Sequence, residues 1–331
     1  MPHNARHEPL PRKRFRKRRR VTLIAAFRCD INGDSGVVVC ADSQEVYQDY
    51  RVTVDKIKPL SAGNYDLIAG GGGNFGSLID GLAKAFEKGV ASWPAGLSEE
   101  ECRERLELLS VAYHTSHVSV YPASDDEKDM SFLICARDRL SSQIYLWRLD
   151  GITAKTVDGY EVIGCGELLY KHEARKLYRT TANASQATMI GLHLLSIGKA
   201  TNYYIDDPFQ VLTVHKGGIL IENPQRILAL QETVRETDQK YDNLLMSAYD
   251  VAASPDSIET ALTQFGDVVR SLREQARSVF DSTRIHGAKM LRSERRQLLK
   301  CLPQCFLTVP YTKQGFMEKR VAPKLFAFGE K

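Results

Sequence analysis

The sequence lacks several features that would fix its class at once. No apolar run approaches the ~20 residues of a membrane-spanning helix, and the mean hydropathy is −0.30. The basic start is not followed by an apolar segment, so no secretory signal is visible. No disulfide framework is evident, because seven cysteines make an odd and mostly scattered set, several of them inside apolar strand-like runs. That pattern suits reduced thiols in a cytosolic protein, and a cytoplasmic location is expected. Cys301 and Cys305 are the one close pair, and without a second pair or matching histidines they do not point to a zinc site. There is no internal repeat and no phosphate-loop Lys-Ser/Thr.

What is present is ordinary globular material: 331 residues, 43% hydrophobic and 26% charged, enough for one large domain with extras. The net charge of +4 conceals an asymmetry. Residues 1–20 hold nine of the 45 Lys and Arg against one acid, Glu8, and carry +8, while the rest of the chain carries −4. A basic groove across the fold is therefore not indicated.

Residues 22–29 and 36–42 read as strands joined by a turn at 30–35, opening the domain as a hairpin. Residues 51–59 alternate as a third strand that contains Lys56, and 65–69 form a fourth. A glycine-rich turn, Gly70–Gly73, follows, and then a helix from about Phe75 to Val90. Residues 98–115 read as a helix capped by Ser98. Strands are expected at 131–137, 142–149 and 158–164, helices at 167–178 and 185–200, and a hairpin at 209–221. Long charged helices follow at 225–253 and 256–283, then a shorter one at 289–299 and a mixed end at 306–328. The order is not a regular βαβ alternation and argues for helices packed outside stacked, largely antiparallel sheets.

The opening strands carry a possible chemistry. A threonine hydrolyses amides when it is the N-terminal residue, with its hydroxyl as nucleophile and its own α-amine as base. That amine has a pKa near 7.7–8.0 and accepts a proton at neutral pH. A lysine holds the amine neutral, an aspartate fixes the lysine, and a backbone N–H stabilises the oxyanion. Thr22 starts the first strand, Asp42 ends the second, Lys56 lies in the third, and glycines follow the fourth.

The run TLIAAFRC…GVVVCADSQ…VDKIKPL…LIAGGGGNFGSL resembles the first half of a proteasome β-type subunit, or of its simplified bacterial relative that forms stacked hexameric rings. Both are N-terminal-nucleophile (Ntn) hydrolases. The resemblance implies a four-layer αββα sandwich over residues 22–222, with 1–21 as a leader and 223–331 as a mainly helical extension. It implies Thr22 as nucleophile, Asp42 and Lys56 as the supporting pair, and Gly73 as the oxyanion glycine, with Gly72 the nearby alternative. Ile163-Gly164-Cys165-Gly166 is similar to the family's G-S-G turn, with Cys165 replacing a serine that bonds the nucleophile's amine. The family's further aspartate is matched by Asp206 or Asp207. The implied function is a threonine-type amide or peptide hydrolase in a homo-oligomeric ring. It acts on peptides or unfolded protein, with an ATPase as a possible partner and no metal or organic cofactor.

Competing readings of the same residues are weaker. Gly71-x-Gly73-x-x-Gly76 formally fits a dinucleotide fingerprint, but the acid expected about 20 residues on is replaced by the loop Trp93-Pro94-Ala95-Gly96. His114 and His117 read as surface histidines. Cys29 and Ser43 lack a histidine at local spacing to act as nucleophiles, and Trp147, Tyr203 and Tyr204 read as core or interface.

Thr22 needs a free amine, and 21 residues precede it. Either the Val21–Thr22 bond is cleaved by self-processing, or the leader is not translated and Val21 marks an alternative start codon. The second route is preferred, because stiff, β-branched Val21 departs from the glycine that family propeptides commonly present. If the leader is instead a basic tail that binds nucleic acid, the protein is an inactive assembly subunit or binding module.

Overall fold

The computed structural model describes residues 22–46, 51–124 and 128–286. The leader and the segments expected at 289–299 and 306–328 lie outside them.

Two apolar runs and a tight Asn32–Gly33 turn, both residues at positive φ, build the opening hairpin. Its strands are β1 (Leu23–Ile31) and β2 (Asp34–Ala41), paired antiparallel from Ile24↔Ala41 to Ile31↔Asp34. The expected third strand divides. β3 (Gln44–Val46) and β4 (Arg51–Thr53) form a separate two-stranded ribbon. β5 (Ile57–Ala62) begins afresh, so Lys56 stands just before a strand rather than inside one. Its amide donates to Gln210 Oε1 at 2.9 Å, a side-chain bond in place of a ladder bond.

The glycine run is not a turn. β6 (Tyr65–Gly73) continues through it and pairs with β7 (Met130–Asp138) as far as Gly73↔Met130. Close packing explains the composition. A Cβ at Gly70 would stand 2.6 Å from Ile57, and one at Gly71 2.5 Å from the Phe132 ring. α1 (Gly76–Val90) follows, then α2 (Glu99–Tyr113), with a Ser98–Glu101 capping box. A π-helical turn, His114–Val118, extends α2.

β8 (Ile144–Asp150), β9 (Thr153–Thr156) and β10 (Tyr160–Gly164) lead into α3 (Glu167–Leu177) and α4 (Ala184–Thr201). The cap of α4 is Asn183, boxed with Gln186. β11 (Gln210–His215) and β12 (Gly218–Ile221) complete the strands. The long helices α5 (Pro224–Tyr249) and α6 (Pro255–His286) follow.

The strands form two five-stranded antiparallel sheets, ordered β10-β1-β2-β11-β12 and β5-β6-β7-β8-β9. One apolar cluster joins the sheets, with Ile24, Val37 and Val39 against Ile57, Ile68 and Leu133. A second joins β6–β8 to α1 and α2 through Leu82, Phe86, Leu106, Phe132 and Trp147. A third joins β1 and β2 to α3, α4 and the first half of α5, including Tyr170, Leu192, Leu195, Ile227 and Leu230. Apolar burial on both faces of each sheet explains why β2 and β7 read as nearly continuous apolar runs.

Candidate active site

The site forms where the start of β1 meets the ends of β6 and β10. Thr22 is fully buried ahead of β1. Its carbonyl accepts the Cys165 amide at 2.9 Å, and its next peptide is fixed from the other side, because the Leu23 amide donates to Asp42 Oδ1 at 2.8 Å. Asp42 Oδ2 accepts Lys56 Nζ at 2.6 Å and the Gln44 amide at 3.2 Å. Both side chains of this ion pair are wholly inaccessible. Burial raises the Asp42 carboxyl pKa, while Lys56 and the two amides pull it back down. The hairpin sets this contact, because antiparallel pairing brings Asp42 opposite Leu23 and the Asp42 amide donates to the Leu23 carbonyl at 3.2 Å.

The Gly164-Cys165-Gly166 turn closes the other side. Gly164 has φ +109°, and a Cβ there would fall 1.7 Å from the Thr22 carbonyl oxygen. Gly166 has φ +77°, and its Cβ would meet the Tyr170 ring at 2.7 Å. Only glycine on each side lets Cys165 sit between them. Cys165 is the exposed cysteine among the described residues. Its Sγ receives a hydrogen bond from Asn202 Nδ2 at 2.9 Å. Asn202 follows the last residue of α4, and its Oδ1 accepts the Tyr204 amide at 3.0 Å, which fixes which end of the side chain faces the sulfur.

Sequence reasoning missed Asn202 and pointed to Asp206 and Asp207. These two pair elsewhere. Asp206 meets Lys199 at 2.9 Å and Arg51 at 3.1 Å, and Asp207 meets Lys199 and Gln231. No local pattern in the sequence marks Asn202, because its contact with Cys165 spans 37 residues.

A cleft of about 620 Å³ opens here, lined by Thr22, Gly72, Gly73, Cys165 and their neighbours. Gly72 is the glycine against the threonine: a Cβ on it would lie 3.7 Å from Thr22 Cβ. Gly73 lines the same cleft, and a Cβ there would press on the Asp129 carbonyl at 2.7 Å. The rim carries Asp129, Asp150 and Glu167 and no Lys, Arg or His. Arg148 holds two of these acids, bonding Asp150 at 2.7 Å and Glu167 at 2.5 Å. Burial raises the Glu167 carboxyl, but bonds from Arg148 and Lys171 outweigh it and hold the group below its ordinary pKa.

The alternative nucleophiles are occupied or buried. Ser43 is buried and its hydroxyl donates to the Pro208 carbonyl. Cys29 is buried, and its thiol is pushed up to about 12, chiefly by burial. Among the described residues no group of three or more His, Cys, Asp or Glu is placed to hold a metal. His114 and His117 therefore find no third ligand there.

Two antiparallel sheets joined by apolar contacts, with helices on their other faces, give a proteasome-like type of fold. Solved structures agree at that level. The chain is similar to Anbu (ancestral beta-subunit) from Yersinia bercovieri, with 13% identity, a TM-score of 0.50, and coverage of 63% of this chain and 92% of that one. It is likewise similar to Anbu from Hyphomicrobium sp. strain MC1, with 10% identity, a TM-score of 0.52, and coverage of 71% and 99%. At such identities the likeness is one of fold. No protein-family profile matches the chain. No curated protein sequence matches it either.

Proposed function

We propose that the protein is a threonine-type amide or peptide hydrolase whose nucleophile is Thr22, on a four-layer αββα framework. One observation carries this reading most directly. A fully buried Lys–Asp pair is bonded to the peptide that follows Thr22, at the wall of an open cleft. A buried ion pair is costly to keep unless it serves something, and beside a candidate N-terminal nucleophile its use is to set protonation.

In this reaction the free α-amine of Thr22 takes the proton of its own Oγ, and Oγ attacks the substrate carbonyl. Lys56, oriented by Asp42, keeps the amine neutral and lowers the cost of the alkoxide. A backbone N–H at Gly73 or Gly72 donates to the oxyanion. The amine returns its proton to the leaving nitrogen, and water then releases the acyl ester by the reverse path. Cys165, held by Asn202, orients the amine. The substrate is a peptide or unfolded segment, and the enzyme works in the cytoplasm as a homo-oligomer.

The test is hydrolysis of fluorogenic acyl-peptide amides by protein whose N-terminus is read by mass spectrometry. Turnover by chains beginning at Thr22, and none by Thr22→Ala, supports the reading. Peptides from residues 1–20 in the native mature protein would contradict it. Salt-sensitive DNA binding that is lost with residues 1–20 would favour the inactive binding module.

A further inference from the structure

Gln210 opens β11 with a half-buried amide side chain ahead of an apolar run. Its backbone and its side chain are fastened to different parts of the site. Through the backbone it pairs with Ala41 of β2, and Ala41 pairs with Ile24 of β1. Ile24, Ala41 and Gln210 therefore stand in one row across the sheet, the first two next in sequence to Leu23 and Asp42. Through the side chain, Gln210 holds the stretch that carries Lys56. That stretch lies between two ladders. The ribbon ends where the Val54 amide donates to the Ser43 carbonyl at 2.8 Å, and the pairing of β5 with β6 starts at Ile57. Gln210 Oε1 accepts the Lys56 amide at 2.9 Å and the Ile57 amide at 3.4 Å. Gln210 Nε2 donates to Asp55 Oδ1, and this bond fixes the oxygen end of the amide toward Lys56.

The backbone beneath this clamp is anchored independently of the Gln210 side chain. In the connection from α4 to β11, the Pro208 carbonyl accepts the Ser43 hydroxyl. Arg51 donates to the Tyr203 carbonyl at 3.2 Å, and its guanidinium lies 3.9 Å from the centre of the Tyr203 ring. With the strand held by the ladder and by these contacts, a substitution at Gln210 removes the clamp and leaves its base in place.

We propose that Gln210 is the positioning residue for Lys56. It bonds the Lys56 main chain from a strand paired to the one that leads into Asp42, and so sets the 2.6 Å contact of Lys56 Nζ with Asp42 and the field of the ammonium at the Thr22 amine. The inference deepens the reading of Thr22 as an N-terminal nucleophile and rests on it for the effect on turnover. A nearby ammonium disfavours protonation of an amine. When the clamp is lost and Lys56 shifts, the amine holds its proton to higher pH. The acid limb of kcat/KM, which reports the base of the free enzyme, then moves to higher pH with it.

The test compares chains beginning at Thr22: the natural sequence, Gln210→Leu, Gln210→Glu, and Gln210→Glu combined with Asp55→Asn. Leucine removes donor and acceptor together. Glutamate keeps the acceptor but faces the Asp55 carboxylate, and the added Asp55→Asn returns a donor to the pair and restores the net charge. Two quantities are followed across pH: acetylation of the Thr22 α-amine by acetic anhydride, located by mass spectrometry, and kcat and KM on a fluorogenic peptide amide. In Gln210→Leu and Gln210→Glu the amine becomes reactive only at higher pH, and the acid limb of kcat/KM moves up by at least ~0.5 pH unit. Their kcat falls at least ~10-fold with KM little changed, and the combined variant recovers both. A merely structural role would lower the active fraction alike at every pH and leave the limb where it is. An amine profile unmoved by either single substitution, or a shift that the added Asp55→Asn does not reverse, would overturn the inference. A natural chain that hydrolyses nothing, while its amine profile shifts with Gln210 and is restored by the pair, would uphold the clamp and remove the hydrolase reading of Thr22.

Discussion

At the residue scale, Lys56 is the side chain whose removal reads most clearly. It is sealed from solvent with its Nζ 2.6 Å from Asp42. Lys56→Met keeps the length of the side chain but leaves a carboxylate buried without its cation, at a cost of about 3–5 kcal/mol. We expect a lower urea midpoint and loss of amide hydrolysis in the same variant, whereas a residue of purely structural importance would leave the turnover of the remaining folded protein intact. Cys165 makes a graded case. Cys165→Ser keeps a donor at that place and retains activity. Cys165→Ala removes one hydrogen bond, and its kcat falls about tenfold, equivalent to about 1.4 kcal/mol, with KM little changed. The positions of Thr22, Asp42, Lys56 and Cys165 were legible in the sequence because each lies in a short motif at or beside a strand end. Asn202 was not. Its contact with Cys165 spans 37 residues and depends on where α4 ends, which no local pattern reports. The adjacent pair Asp206–Asp207 drew attention by charge alone, and that charge is spent on Lys199, Arg51 and Gln231.

At the scale of elements, hydrophobic period and caps located most helices and strands, and the errors have physical causes. Glycine marked a turn in the sequence, yet Gly70–Gly73 continue β6 by pairing with β7, and at Gly70 and Gly71 the side chains of Ile57, Phe132 and Ile79 leave no room for a Cβ. Residues 51–59 alternate like a single strand, but Arg51–Thr53 pairs with Gln44–Val46 and the chain leaves the ladder before Ile57. β9 is four residues long, too short to show a period of two. The residue that follows β12 is a pH-sensitive group. Burial raises Glu222 from 4.5 to about 7, against the lowering pull of Arg226. The folded state therefore keeps a proton that the unfolded chain gives up above pH 4.5. Stability is unaffected by this group below that pH, falls as the pH rises toward 7, and stays lower above it. The loss is about 3 kcal/mol. Glu222→Gln removes it, so the variant should be more stable than the natural protein at pH 8 and close to it at pH 4, measured by urea unfolding at both. A variant that loses stability at pH 8 would mean that the carboxylate is satisfied there. The Asp66 carboxylate is the opposite kind of group. It is buried, and Arg137 at 2.6 Å and Arg139 at 2.8 Å hold it below its ordinary pKa against the raising effect of burial. Asp66→Asn should cost about 3 kcal/mol in the same unfolding assay, because two guanidinium groups lose their anion.

At the scale of the whole molecule, charge separates the chain into parts that the net value hides. Residues 22–286 hold 26 Lys and Arg against 37 Asp and Glu, so the folded region is acidic and the basic pI of about 8.6 comes from the segments on either side. The far part of α5 and α6 belongs to that acidic region. The cleft, the buried ion pair and the glycine-flanked Cys165 all converge on Thr22, the residue just ahead of β1. The most direct test is covalent capture by a peptide epoxyketone, which requires both the hydroxyl and the free amine of one N-terminal threonine. Protein whose N-terminus is confirmed as Thr22 is incubated with the reagent, and the adduct is located by peptide mass spectrometry. The prediction is a single adduct on Thr22 that is absent from Lys56→Met under the same exposure. No adduct on such protein, or an adduct confined to Cys165, would contradict the account.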